Sequence, residues 1–267
     1  RALEITAQGW RIVSDPPVRF RRAPGMLPLP NPVHGGSLLD LKYFLNMGHK
    51  QFVMAIAWLI GALNPSGPYA ILLLLGEQGT TKSTATRILR FLIDPSSVLI
   101  RTYPRDDEDL LIAAQNNWVM AYDNLSAIPQ WLSDALCRMA TGGGLSKREL
   151  YSDDSEVIFH AMRPIVFNSI DRIANRHDLL DRCITVQLDP IPDDERLLER
   201  ELWNAFERVH PRLLGALCDA VSTALSNKDN LELESVPRMA DFAHWVIASE
   251  PALPWEQGEF LLNYGEV

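Results

Sequence analysis

Seven apolar residues run without interruption from Tyr69 to Leu75, bounded by Pro68 and Gly76. A run this short cannot cross a bilayer, and without polar alternation it predicts a central parallel strand covered on both faces. The sequence downstream continues in that grammar. A helix follows Gly79, with Ala85, Ile88, Leu89 and Leu92 at i, i+3, i+4 and i+7, and Asp94-Pro95 stops it. Val98–Ile100 reads as a strand, Asp106–Gln115 as a helix, Asn117–Tyr122 as a strand and Pro129–Ala140 as a helix. Ile165–Asn168 and Cys183–Leu188 add two more strands. About five strands alternating with helices imply an α/β fold with a mostly parallel, doubly wound sheet.

The flanks differ from this core. Residues 1–36 hold short β-like runs at Leu3–Thr6, Trp10–Val13 and Val18–Arg21, then a loop with Pro24, Pro28, Pro30 and Pro32, and read as a β-rich lead-in or linker. Ser37–Leu63 is helical and apolar on nearly all sides from Phe52 onward, opening a core domain expected over 37–190. From 191 to 267 only helical faces recur: Leu198, Leu202, Phe206 and Val209 on one, Leu213–Leu225 on another, Met239–Ala248 on a third. This predicts a helical C-terminal subdomain or lid. No apolar stretch approaches the ~20 residues of a membrane span. Cys137, Cys183 and Cys218 are far apart with no Cys-x-x-Cys, so a reducing, cytoplasmic setting without membrane contact is expected. The chain opens with Arg1 rather than Met, which points to a portion of a longer protein.

The chemistry is concentrated directly after the apolar strand, in Gly76-Glu77-Gln78-Gly79-Thr80-Thr81-Lys82-Ser83-Thr84. Phosphate oxygens need converging backbone N–H groups, a helix N-terminus, a lysine for the β/γ charge and a hydroxyl for Mg²⁺. The strict pattern places glycine before the lysine, where this chain has Thr81; its Cβ is tolerable there only with ordinary backbone torsions. Forty-one residues beyond Lys82, Trp118-Val119-Met120-Ala121-Tyr122 ends in Asp123-Asn124, a carboxylate at a buried strand tip as Mg²⁺ coordination requires. An apolar strand also ends in Asp simply to start a turn. Forty-five residues further, Pro164-Ile165-Val166-Phe167 leads to Asn168, whose amide can bond a γ-phosphate or the attacking water without adding charge. Arg182, another fourteen residues on, could reach a neighbouring subunit's nucleotide or pair with Asp178 or Asp181. Arg238, at the first turn of the last clear helix, is a weaker candidate for a lid contact, because a cation is poorly placed there.

In this order and spacing the elements resemble the AAA+ P-loop ATPases, and within them the superfamily-three-like helicase modules of phage, plasmid and viral primase-helicases, over roughly Ser37 to Leu188. The resemblance implies ATP and Mg²⁺ as ligands, with Gly76, Glu77, Gln78, Gly79, Thr80, Thr81, Lys82, Ser83 and Thr84 around the phosphates and Ser83 and Asp123 on the metal. Lys82, Asp123, Asn124, Asn168 and a finger-like Arg182 would be the catalytic set. It also implies a ring of six subunits closing on single-stranded DNA. In such helicases the interval between the acidic strand and the Asn strand holds a hairpin that projects basic residues into the channel. Here that interval contains Thr141-Gly142-Gly143-Gly144-Leu145-Ser146-Lys147-Arg148, making Lys147 and Arg148 the DNA-binding candidates. Arg148 could instead face the nucleotide. A primase domain elsewhere in the full-length protein would fit.

Charge restricts this reading. Twenty-five Lys and Arg face 34 Asp and Glu, a net charge of −9, which excludes a broad basic surface and leaves only local nucleic-acid contact. A second acidic residue commonly stands beside the metal-binding aspartate to activate water, but here Tyr122 and Asn124 flank Asp123, and Asn cannot accept a proton. Glu77, Asp106, Asp107 and Glu108 are the remaining candidates for that base. The expected function is an ATP-driven DNA motor; the alternative is an ATP-binding switch or assembly protein with slow hydrolysis and no translocation. A P-loop kinase is less consistent, for want of an acceptor pocket or Arg-rich lid.

Overall fold

A computed structural model describes residues 1–124, 128–143, 162–170, 177–192, 194, 196–233 and 237–265, and the backbone of 145–148 and 156–159. In chain order the elements are β1 (Ala2–Thr6), β2 (Gly9–Val13), a 3-10 turn at Leu38–Tyr43, α1 (His49–Ala62), β3 (Ile71–Leu75) and α2 (Lys82–Ile93). Then come α3 (Asp107–Asn116), β4 (Met120–Tyr122), α4 (Gln130–Thr141), β5 (Leu145–Arg148), β6 (Glu156–Phe159), β7 (Ile165–Ser169), α5 (His177–Leu180) and β8 (Cys183–Gln187). The remainder is α6 (Glu199–Asn227), α7 (Ala240–Ser249) and α8 (Glu259–Tyr264), with short 3-10 turns after α6 and α7.

The central sheet is four parallel strands in the order β4-β7-β3-β8. Every residue of β3 is buried, because the sheet is covered on both faces. Leu72 and Leu74 join Val166, Ile184 and Val186 in a core shared with α1, α2, α6 and α7. Ile71, Leu73 and Leu75 join Met120, Tyr122 and Phe167 against α3 and α4. Since successive side chains alternate faces, two cores need apolar residues at every position, which is why the run shows no alternation.

Three expectations need correction, the third of them in the N-terminal segment. A strand at Val98–Ile100 does not form. Instead Arg101 makes a single parallel bridge to Tyr122, donating from its N–H to Ala121 O and accepting from Asp123 N, so the sheet has four strands rather than about five. Three β-prone residues fit a strand locally, but pairing has to be completed by a neighbour. The two helical faces on either side of Pro211 belong to one 29-residue helix, α6. A proline inside a helix costs about 3 kcal/mol. Burial of Phe206, Leu213, Leu214 and Leu217 on one continuous face outweighs that cost.

The N-terminal hairpin pairs Ala2 with Val13 through Thr6 with Gly9 and sits on α6. There Trp10 Nε1–H donates to Asp219 Oδ1 at 2.7 Å and Ser222 Oγ donates to Thr6 O at 2.6 Å. The expected strand at Val18–Arg21 is absent, and residues 17–22 run exposed outside any regular element. Among the described residues no helix is long and apolar enough to cross a membrane.

Candidate functional site

Parallel strands deliver all their carboxyl ends to one edge, so β3, β4 and β7 bring the 76–81 loop, Asp123-Asn124 and Asn168 together there. The loop turns sharply at Gly76, where an added Cβ would lie 2.6 Å from Thr80 Oγ1 and 2.9 Å from Leu188 O. Only glycine fits that approach. Thr81, just before Lys82, takes φ 62° and ψ 24°. The ordinary torsions expected of a β-branched residue are therefore not what the chain adopts. The left-handed conformation costs about 1–2 kcal/mol and is one that glycine would take freely.

The strained turn aims α2 at the edge. Its N-terminus has no side-chain cap, and its first α-helical bond runs from Ala85 N to Thr81 O, so the N–H groups of the first turn face outward. Lys82 Nζ folds back on the loop, donating to Gly76 O at 2.6 Å and Glu77 O at 2.7 Å, with Thr80 Oγ1 at 3.4 Å. Partial burial lowers the Lys82 pKa, an effect that the nearby Asp123 charge partly offsets. Ser83 Oγ donates to Asp123 Oδ1 at 3.0 Å. A hydroxyl and a carboxylate at that separation are the hard oxygen donors that a small divalent cation takes. Asn168, 1% exposed, accepts from Asn124 N at 2.9 Å and approaches Thr86 Oγ1 with its Nδ2 at 3.4 Å.

These residues open into a cleft of about 1260 Å³. Gln78, Gly79, Lys82, Ser83, Thr84, Asp123, Asn124 and Asn168 line its floor. Its walls come from segments that the sequence did not single out. Lys42, Tyr43 and Asn46 form one side, with Asn46 Nδ2 bonded to Asp189 O. Arg196, Leu197 and Glu199 form the other, and Arg196 Nη2 lies 3.5 Å from where a Cβ on Gly79 would stand. Chain closure in three dimensions places them, and no local pattern marks them.

Other candidates lie elsewhere. Arg182 precedes β8, whose first residue is level with Ile71, so it stands at the amino edge of the sheet, opposite the loop in its own chain. It donates to Asp178 O at 2.6 Å and forms no ion pair with Asp178 or Asp181 among the described residues. Arg238 pairs with Asp181 instead. Asp106 caps α3 by accepting from Asp109 N at 2.8 Å, and Asp107 and Glu108 belong to that helix's first turn, none of them lining the cleft. Residues 145–148 pair antiparallel with 156–159, forming the hairpin strands; the side chains of Lys147 and Arg148 lie outside the described residues.

Residues 36–254 match the family of the actinomycete integrative conjugative element replication protein. Curated proteins provide no match. Among solved structures, an apo A-form structure of the NrS-1 C-terminal region is similar at 14% identity and a TM-score of 0.50, covering 70% of this chain and 47% of that one. A second apo structure of the same region gives 14% identity and a TM-score of 0.48, with 70% and 47% covered. The chain thus spans about half the length of the solved structures it matches, and at that identity the likeness is one of fold. The family match takes in the loop, the three strand tips and α6, and the chain belongs to the replication proteins of actinomycete integrative conjugative elements.

Proposed function

We propose that the 76–84 segment is an ATP-binding loop of the P-loop type, and that the chain is the AAA+ motor domain of a ring-forming DNA helicase within a mobile-element replication protein. The observation that carries this is the Ser83–Asp123 contact at 3.0 Å, beside Lys82 and under an uncapped helix N-terminus. A hydroxyl, a carboxylate, an ammonium and outward N–H groups meet at one strand edge, the complement that a metal-bound triphosphate needs. Mg²⁺ held by Ser83 and Asp123 would neutralise charge on the β- and γ-phosphates. Lys82 would exchange a loop carbonyl for a phosphate oxygen. The backbone from Gly76 to Thr81, with the Thr84 hydroxyl nearby, would cradle the remainder. Asn168 would position the attacking water, with Asn124, whose backbone N–H its Oδ1 already holds, beside it. Arg182, on the far edge of its own chain, would act on a neighbouring subunit's nucleotide. In a hexamer, Lys147 and Arg148 would supply twelve channel charges to grip single-stranded DNA without reading sequence. A primase domain in the full-length protein would place priming and unwinding on one polypeptide.

The test is equilibrium binding of a fluorescent ATP analogue, with Mg²⁺, to the parent and to Lys82→Ala. A drop of tenfold or more is expected, whereas equal affinities would remove the reading.

One observation favours the switch alternative. The other described carboxylates lining the cleft are Asp194 and Glu199, and Glu199 already pairs with Arg87 at 3.0 Å. If no carboxylate serves as base, nucleotide binding would build an assembly without fast turnover. DNA stimulation of ATP hydrolysis that is lost in Lys147→Ala/Arg148→Ala marks the motor; slow turnover indifferent to DNA marks the switch.

A further inference from the structure

The charge of this chain is divided unevenly. Residues 1–36 carry five arginines against Glu4 and Asp15, whereas the other 231 residues carry 20 cations against 32 carboxylates. Three of those arginines, Arg19, Arg21 and Arg22, surround Phe20 in the strap between β2 and the loop after α2. The strap is anchored at both ends. Upstream, the β1–β2 hairpin is bonded to α6. Downstream, Met26 bridges Ser96, Leu27 N donates to Pro95 O at 2.9 Å and Ser97 N donates to Gly25 O at 2.8 Å.

Between these anchors nothing covers residues 17–22 among the described residues. Phe20 is 69% exposed and Val18 55%. All six residues from 17 to 22 are exposed, so neither side of the strap is packed on the protein. None of the three guanidinium groups has a carboxylate within ion-pair distance among the described residues, although carboxylates outnumber cations by nine. A phenylalanine left in water beside unpaired arginines is costly to solubility and offers two things together: a stacking face and a cationic rail. Single-stranded nucleic acid uses both, since every base has a π-face and every linkage a phosphate.

We infer that Arg19, Phe20, Arg21 and Arg22 form a single-stranded DNA contact on the outside of the domain, separate from the residues that line the cleft. The bases stack on Phe20 while Arg19, Arg21 and Arg22 neutralise backbone phosphates without reading sequence. The anchored ends fix both ends of the strap before DNA arrives, which lowers the ordering cost of binding. Nothing in this depends on the ATP reading, and the test uses no nucleotide.

The experiment is fluorescence anisotropy of a labelled oligo-dT with the whole chain across a salt series. Neutralising the strap as Arg19→Ala/Arg21→Ala/Arg22→Ala should weaken binding at least tenfold and make the log K against log salt slope shallower by about 2, the figure for three phosphate contacts on a single strand. Phe20→Ala alone should weaken binding roughly tenfold with the slope kept, and Phe20→Trp should restore it. All four positions are exposed, and circular dichroism of each variant confirms the fold. An unchanged affinity and slope in the triple variant would overturn the inference. So would a Phe20→Ala variant that binds like the parent while polyglutamate competes as well as DNA, because that outcome describes a surface for acidic proteins.

Discussion

The main-chain N–H of Asn124 donates to Oδ1 of Asn168 across 2.9 Å, tying the carboxyl tips of the adjacent strands β4 and β7. Asn124 sits at φ 48°, a left-handed conformation that asparagine tolerates better than most residues. The bond therefore fixes the backbone directly after Asp123. With its oxygen on Asn124 N and its nitrogen 3.4 Å from Thr86 Oγ1, Asn168 ties Asn124 to β7 and α2. Replacing it with alanine should cost about 1 kcal/mol of stability. On the proposed ATP reading, losing the bond displaces Asp123 together with Asn124, so Mg·ATP binding and ATP turnover should both fall. Unchanged binding and turnover in Asn168→Ala would remove that positioning role.

Thr81 gives a prediction with the opposite sign. Its left-handed torsions cost about 1–2 kcal/mol, partly compensated by its own Oγ1–H bond to Thr80 O at 2.6 Å. Glycine removes the strain but gives the unfolded chain about 0.5–1 kcal/mol of extra entropy. Thr81→Gly should therefore raise stability by up to about 1 kcal/mol, and Thr81→Val, which keeps the branch and loses the hydroxyl, should lower it. Urea denaturation of the three proteins decides the order.

What could be read from the sequence was whatever depends on neighbours along the chain. The buried run of β3, the glycine turn behind it and the polar tips Asp123 and Asn168 follow from strand periodicity and turn chemistry, and the fold brings all of them to one edge. Features set by contacts between distant segments were not legible. Tyr43 and Arg196 reach the cleft only because the 3-10 turn and the segment leading into α6 lie along it. Val98–Ile100 looks like a strand but has too little to pair with, and the two faces read at Leu198–Val209 and Leu213–Leu225 lie on one helix whose burial carries it through Pro211. The left-handed torsion of Thr81 is a property of the turn, and threonine itself argues against it.

Arg90 is another feature of that kind. It is wholly buried in α2, donating to Leu99 O at 2.9 Å and Asn117 Oδ1 at 2.6 Å, with Asp94 Oδ2 at 3.6 Å. Asp94 also accepts from Val119 N at 2.9 Å, so the pair ties the end of α2 to the segment entering β4. Removing one partner leaves the other charge buried, a loss of about 3–5 kcal/mol. Arg90→Met should thus destabilise the fold on that scale, and Arg90→Met/Asp94→Leu should recover part of the loss. A double variant no more stable than the single one would count against charge burial as the cause.

The pH dependence of stability turns on His210. It is buried in α6 among Phe91 and Phe206, and because Leu92 O can only accept, Nε2 must carry the proton that bridges them at 3.1 Å. Burial lowers the His210 pKa below its ordinary value of 6.5, against smaller raising effects from Leu92 O and Glu207. A base whose folded pKa is depressed binds fewer protons folded than unfolded. Its contribution is complete above pH 6.5 and is lost as the pH falls through the window below it. The loss is bounded by one proton, about 1.4 kcal/mol per pH unit. Denaturant titrations between pH 7.5 and 5 should show that decline, and His210→Gln, which can still donate to Leu92 O but cannot charge, should flatten it. An equal slope in the variant would assign the acid sensitivity to carboxylates elsewhere in the chain.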